Sequence, residues 1–134
     1  MPGIYLGSQL LTPVGSGSGP GGDEPWDDTP PTIQTPYYFN LVDARAWRRN
    51  GLCLLSLAMS NGIGSSFEGP GLSQQLGQIP DGFGPLAGMT TVEPSTGALI
   101  MLSEGGSLTL AGTLWPWHDG SVIEFAFFYP LSPH

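Results

Sequence analysis

The residues able to carry nucleophilic or acid–base chemistry are few: two histidines, His118 and His134, and one cysteine, Cys53. A triad needs a nucleophile, a base and an orienting group in contact. His118 precedes Asp119-Gly120, a turn sequence, and adjacent residues at a hairpin tip point to opposite sides. The serines near the N-terminus lie in a Gly/Ser tract and form no Gly-x-Ser-x-Gly elbow. No catalytic residue is assigned, and the expected protein is not an enzyme; a small hydrolase would have to rest on His118. Cys53 lies within Leu52-Cys53-Leu54-Leu55, so it reads as a buried structural thiol, and a single cysteine excludes an internal disulfide.

Metal and cofactor chemistry is equally thin. Asp23, Glu24, Asp27 and Asp28 offer oxygens to a hard cation, but their spacing lacks a calcium-loop pattern and reads as a solvated acidic stretch. Gly17-Ser18-Gly19-Pro20-Gly21-Gly22 matches the dinucleotide spacing, yet it follows no strand and Pro20 refuses a helix. Nothing among the eleven acids singles out a carboxylate pair for glycoside hydrolysis. No metal and no cofactor is expected.

Charge excludes another class. The 134 residues carry eleven acids against three bases, a net charge of −8, and there is no lysine. Phosphate neutralisation needs a broad basic surface, so nucleic acid is not an expected partner. The missing lysine also removes Walker-type phosphate loops and Schiff-base chemistry. The bases Arg45, Arg48 and Arg49 cluster, and in an acidic protein they suit a neighbouring subunit's carboxylates or a solvated hairpin tip. Trp115 and Trp117 flank Pro116 before the Asp119-Gly120 turn; exposed, they could stack on a sugar, and otherwise they suit a subunit interface.

The elements that must position these groups are strands. Charged residues are only 10% of the chain, too few for the polar faces of long amphipathic helices. Gly 21 and Pro 14 together make roughly a quarter of it, so turns are plentiful. Asn50-Gly51 predicts a type I′ hairpin. A two-residue loop there places Val42, Ala44 and Ala46 on one face with Leu55, Leu57 and Met59, the core face. The opposite face carries Phe39, Leu41, Asp43, Arg45, Trp47, Leu54, Ser56 and Ala58, and is too apolar for open solvent. Pro94 to Gly97, Gly105-Gly106 and Asp119-Gly120 predict further turns of a meander ending in Val122–Tyr129, with Ile123, Phe125, Phe127 and Tyr129 on one face. Pro116 places its strand at an edge or a bulge. A Gly/Pro-rich loop from Asn61 to Leu86 separates hairpin from meander, too long to be structureless in a compact domain.

The expected fold is all-β: an antiparallel β-sandwich, jelly-roll-like, over residues 37–134, preceded by an extended Gly/Pro-rich arm and linker over residues 1–36. Ile4, Tyr5, Leu6, Leu10 and Leu11 are the arm's apolar residues and are assigned to anchoring it on a partner. Phe39, Leu41, Arg45, Trp47, Leu54 and Phe128 are assigned to a subunit interface, with a homotrimer favoured. The N-terminus has no basic residue before its apolar stretch, and no apolar run reaches the ~20 residues of a membrane span, so neither secretion nor membrane insertion is expected.

Two segments carry a resemblance. Ile4-Tyr5-Leu6-Gly7-Ser8-Gln9-Leu10 resembles the start of some phage tail-fibre and adaptor proteins, and Ser95-Thr96-Gly97-Ala98-Leu99-Ile100 is similar to hairpins of such fibres. With the arm and the two-sided strands, the chain resembles small β-structured virion proteins of tailed bacteriophages: capsid decoration (cement) proteins, head fibres, and tail-fibre or tail-tip subunits. The resemblance implies a jelly-roll-like structural protein, often trimeric, without catalytic residues. It would be made in the host bacterial cytoplasm and incorporated into the virion, with capsid or tail proteins as partners. A carbohydrate-binding module contacting host glycan through Trp115 and Trp117 is the alternative.

Overall fold

The computed structural model describes residues 25–133. Seven strands follow in chain order: β1 (Phe39–Arg49), β2 (Leu52–Asn61), β3 (Phe67–Gln78), β4 (Met89–Glu93), β5 (Ala98–Leu102), β6 (Ser107–Trp117) and β7 (Val122–Pro130). They form two antiparallel sheets, one ordered β1-β2-β7 and the other β3-β6-β5-β4. In the second sheet β4, β5 and β6 follow by short turns and β3 returns beside β6, a Greek-key order. The fold is all-β among the described residues.

Both sheets bury their inner faces in one cluster. Leu55, Leu57, Met59, Ile123, Phe125, Phe127 and Tyr129 come from the first sheet; Leu76, Ile100, Leu102, Leu108 and Leu110 come from the second. Strict alternation along β5 and β7 produces this, since a period of two sends every second side chain inward. Each such side chain, fully buried, contributes roughly 1.5–3 kcal/mol.

The Asn50-Gly51 turn forms as the sequence predicts, with φ of 52° and 76° at its two central residues. From Arg49↔Leu52 to Asp43↔Ala58 the hairpin keeps the expected register. Then a bulge intervenes between Leu41 and Asp43, and Leu41 rather than Val42 pairs with Met59. One extra residue reverses the inward–outward alternation upstream. Val42, expected in the core, is 56% exposed. Phe39, expected on the outer interface face, is 2% exposed inside the core, and Leu41 packs against that core.

Two more expectations change. The segment from Asn61 to Leu86 is not a loop throughout, because it contains the twelve-residue β3. Its pairing with β6 breaks at three irregularities, two of them at Gly69, Pro70 and Gly71, which accommodate kinks, and the third between Gln75 and Gly77. The Asp119-Gly120 turn does not close a hairpin. It carries the chain from β6 across to the other sheet, where β7 pairs with β2. Pro116 does sit in a bulged stretch of β6, between Thr113 paired with Gly69 and Trp117 paired with Phe67.

The packed unit also reaches further upstream than Tyr37. Asp27 bridges to Arg48 of β1, Gln34 bridges to Gln78 of β3, and Ile33 belongs to the core. The arm's apolar residues Ile4, Tyr5, Leu6, Leu10 and Leu11 lie outside the described residues.

Candidate functional site

The outer face of the β1-β2-β7 sheet retains four of the residues assigned to an interface. Trp47, Leu54 and Phe128 stand in register across the three strands, Trp47 opposite Leu54 and Leu54 opposite Phe128. Phe128 is 52% exposed; Trp47 and Leu54 are half-buried. The row exists because the hairpin register puts odd β1 residues and even β2 and β7 residues on one side below the bulge. Phe39 and Leu41, on the other side of the bulge, are not part of it.

Beside the row lies a charged band. Arg45 Nε donates to Asp43 Oδ2 at 2.9 Å, both side chains being more than half exposed. Asp43 opposes Ala58, which opposes Glu124. An open concavity of about 380 Å³ runs between, lined by Arg45, Trp47, Ser56, Val122 and Glu124 among others. Such a surface can bury aromatic side chains while its single arginine meets a facing carboxylate.

The other arginines are committed within the chain. Arg48 Nη2 donates to Asp27 Oδ2 at 2.7 Å and Nη1 donates to the Gly82 carbonyl at 2.9 Å, while its guanidinium sits 3.9 Å from the Phe83 ring centroid. Asp27 also accepts from the Thr29 amide, and the Thr29 and Arg48 contacts hold its carboxyl below the usual aspartate value. Arg49 lies over the Trp26 ring at 5.6 Å. Thus two of the three arginines expected to meet a neighbour, or to stand solvated at the hairpin tip, instead tie Trp26, Asp27 and the 82–83 turn to the end of β1.

The tryptophans separate. Trp117 is fully buried, stacked on Phe39 with centroids 5.4 Å apart and planes at 3°, and its Nε1 donates to the Ser121 carbonyl. It cannot contact a glycan: alternation along β6 turns it inward. Trp115 is 56% exposed and remains available.

At the turn after β6 the structure brings together a pair the sequence did not suggest. Ser66 Oγ lies 3.1 Å from His118 Nδ1. The contact is the geometry of a hydrogen bond between two exposed side chains. Asp119 does not orient His118; its Oδ1 accepts from the Gly64 amide at 2.7 Å. Ser66 precedes β3, and no local pattern in the sequence links it to a residue 52 positions away.

Two buried polar groups have local duties. The Glu93 carboxylate accepts from the amides and hydroxyls of both Ser95 and Thr96, at 2.5–2.9 Å. Burial alone would raise its pKa, but these four hydrogen bonds outweigh it and hold the value below the glutamate norm. Tyr129 Oη donates to the Phe83 carbonyl at 2.6 Å, beside Cys53, whose thiol burial pushes up in pKa. Cys53 is buried, as its apolar run predicts, and a thiol with a raised pKa is a poor nucleophile.

Comparison with protein families, with curated proteins and with solved structures finds no match.

Proposed function

We propose that this chain is a non-enzymatic structural subunit of a tailed-phage virion, oligomerising through the outer face of β1-β2-β7 and docking by its N-terminal arm on a capsid or tail partner. The observation that carries the self-association is the in-register row of Trp47, Leu54 and Phe128. Aromatic side chains in a row on a half-open sheet face are the anchors that interfaces use. The adjoining charges are self-complementary, since Arg45 of one copy can face Glu124 of the next. A symmetric homo-oligomer follows, with a trimer as the expected form. The Greek-key order of β3-β6-β5-β4 and the shared core support a sandwich of jelly-roll type as the architecture.

The test is sedimentation of the full chain beside a Trp47→Ser/Phe128→Ser variant, followed by isolation of particles from infected host cells. Oligomers that dissociate in the variant, together with recovery of the chain in purified particles, support the proposal. A chain absent from particles would remove the virion role. Trp115 favours the second reading, host-glycan binding: loss of glycan-array signal on Trp115→Ala would support it.

A further inference from the structure

The first of the described residues lie against the outer edge of β1. Asp27 and Arg48 exchange both backbone hydrogen bonds: the Asp27 amide donates to the Arg48 carbonyl at 2.8 Å, and the Arg48 amide donates to the Asp27 carbonyl at 2.9 Å. This is an antiparallel bridge. Directly opposed residues of such a pair share a face, which sets Trp26 beside Arg49. The Arg49 guanidinium lies over the Trp26 ring at 5.6 Å, as that pairing requires. Arg49 is two residues from Trp47, so the strand period puts Trp26 on the face of the Trp47–Leu54–Phe128 row.

From Arg49 the same face continues across the sheet, Arg49 opposite Leu52 and Leu52 opposite Pro130. Leu52 is 39% exposed and Pro130 is exposed. Trp26, half-buried, closes this second line at its β1 end. A second line of apolar side chains therefore runs beside the row, toward the Asn50-Gly51 turn.

We infer that the bridge segment belongs to the self-association face and that Trp26 is one of its anchors. The inference rests on the reading of this face as the subunit interface, and it adds a residue from outside the seven strands. The occupant is a second copy of this chain, and charge selects it. Arg45 and Arg49, two of the three bases in the sequence, lie on this face with Asp43 and Glu124, and with Asp28 at its edge. Over the whole chain eleven acids face three bases; on this face three acids face two. A face of mixed sign is complementary to itself, whereas a strongly basic or strongly acidic partner meets like charge on part of it. Copies that repel one another elsewhere can therefore meet here. The Arg49 contact orients the Trp26 ring within its own copy, which lowers the ordering cost of burying it against the next.

Sedimentation equilibrium on the full chain tests this with Trp26→Ser and with the conservative Trp26→Phe. Trp26→Ser should weaken association about 10-fold, as loss of an interface aromatic does, and Trp26→Phe should recover most of it. Amide exchange at Asp27 and Arg48 should stay as slow in both variants as in the parent, which separates a lost contact from a lost bridge. Hydroxyl-radical footprinting of the parent needs no variant, and it decides the matter if Trp26→Ser opens the bridge. Oxidation of the Trp26 ring should fall as concentration rises through the association midpoint. Unchanged association of a folded Trp26→Ser chain, or Trp26 oxidation independent of concentration, would overturn the inference alone if the Trp47→Ser/Phe128→Ser variant still dissociates. Association unchanged in both variants, or a parent that is monomeric throughout, would overturn the interface reading and this inference with it.

Discussion

Glu93 shows how a single buried charge can be structural in this chain. Its carboxylate replaces water with four hydrogen bonds from the turn it precedes, which joins β4 to β5. Because its pKa is lower folded than unfolded, the unfolded chain takes up the proton first as pH falls. The stability it contributes is fully present above the ordinary value of 4.5 and is lost as pH drops through the lower folded value. Glu93→Gln should cost about 1–3 kcal/mol at neutral pH, because an amide cannot accept all four bonds. Urea titrations at pH 7 and pH 3.5 would check both effects, with a smaller pH dependence expected in the variant. Arg48 acts at the same scale. Arg48→Ala removes the contacts to Asp27, Gly82 and Phe83, so amide exchange should accelerate at residues 27–29 and 82–84 while β2 and β7 stay protected.

Among the elements, what the sequence revealed and what it hid divide along local and non-local lines. Asn50-Gly51, the Pro94–Gly97 turn and the inward residues of β7 were legible because the relevant physics lies within a few residues. The bulge at Val42 was not: nothing in Leu41-Val42-Asp43 marks the extra residue, and missing it reversed the faces of Phe39 and Leu41. β3 was obscured by Gly69, Pro70 and Gly71, residues that elsewhere signal loops and here permit kinks in a strand. The Asp119-Gly120 turn was recognisable, but not that β7 pairs with β2 rather than with β6. At the candidate site, Trp47, Leu54 and Phe128 could be read from alternation, whereas Trp117 facing inward and Ser66 meeting His118 required the fold. The bulge supports a sharp contrast. Deleting Val42 leaves Leu41 and Asp43 consecutive in register, so every upstream side chain keeps its face. That variant should melt within a few degrees of the parent, roughly a 1 kcal/mol effect. Deleting Ala44 instead moves Asp43 to the inward position opposite Leu57, while loss of the bulge leaves Leu41 opposite Met59; an unpaired carboxylate in the core should lower the melting temperature far more than the Val42 deletion does, and calorimetry on the two variants distinguishes them. Gly97→Ala should also destabilise, by roughly 1–2 kcal/mol, because Gly97 has φ of 66° and Leu114 occupies the space of the new methyl.

The whole molecule presents two sheets whose inner faces share a core and whose outer faces both carry exposed apolar side chains. Exposed apolar side chains gathered on one face are what interaction surfaces present. The proposed account therefore turns on self-association through the Trp47–Leu54–Phe128 row. Sedimentation velocity over a concentration series, comparing the parent with Trp47→Ser/Phe128→Ser, measures this most directly. The account predicts a parent oligomer that persists at micromolar concentration and a folded variant reduced to a smaller species. A folded variant with the same mass as the parent, at every concentration, would contradict it.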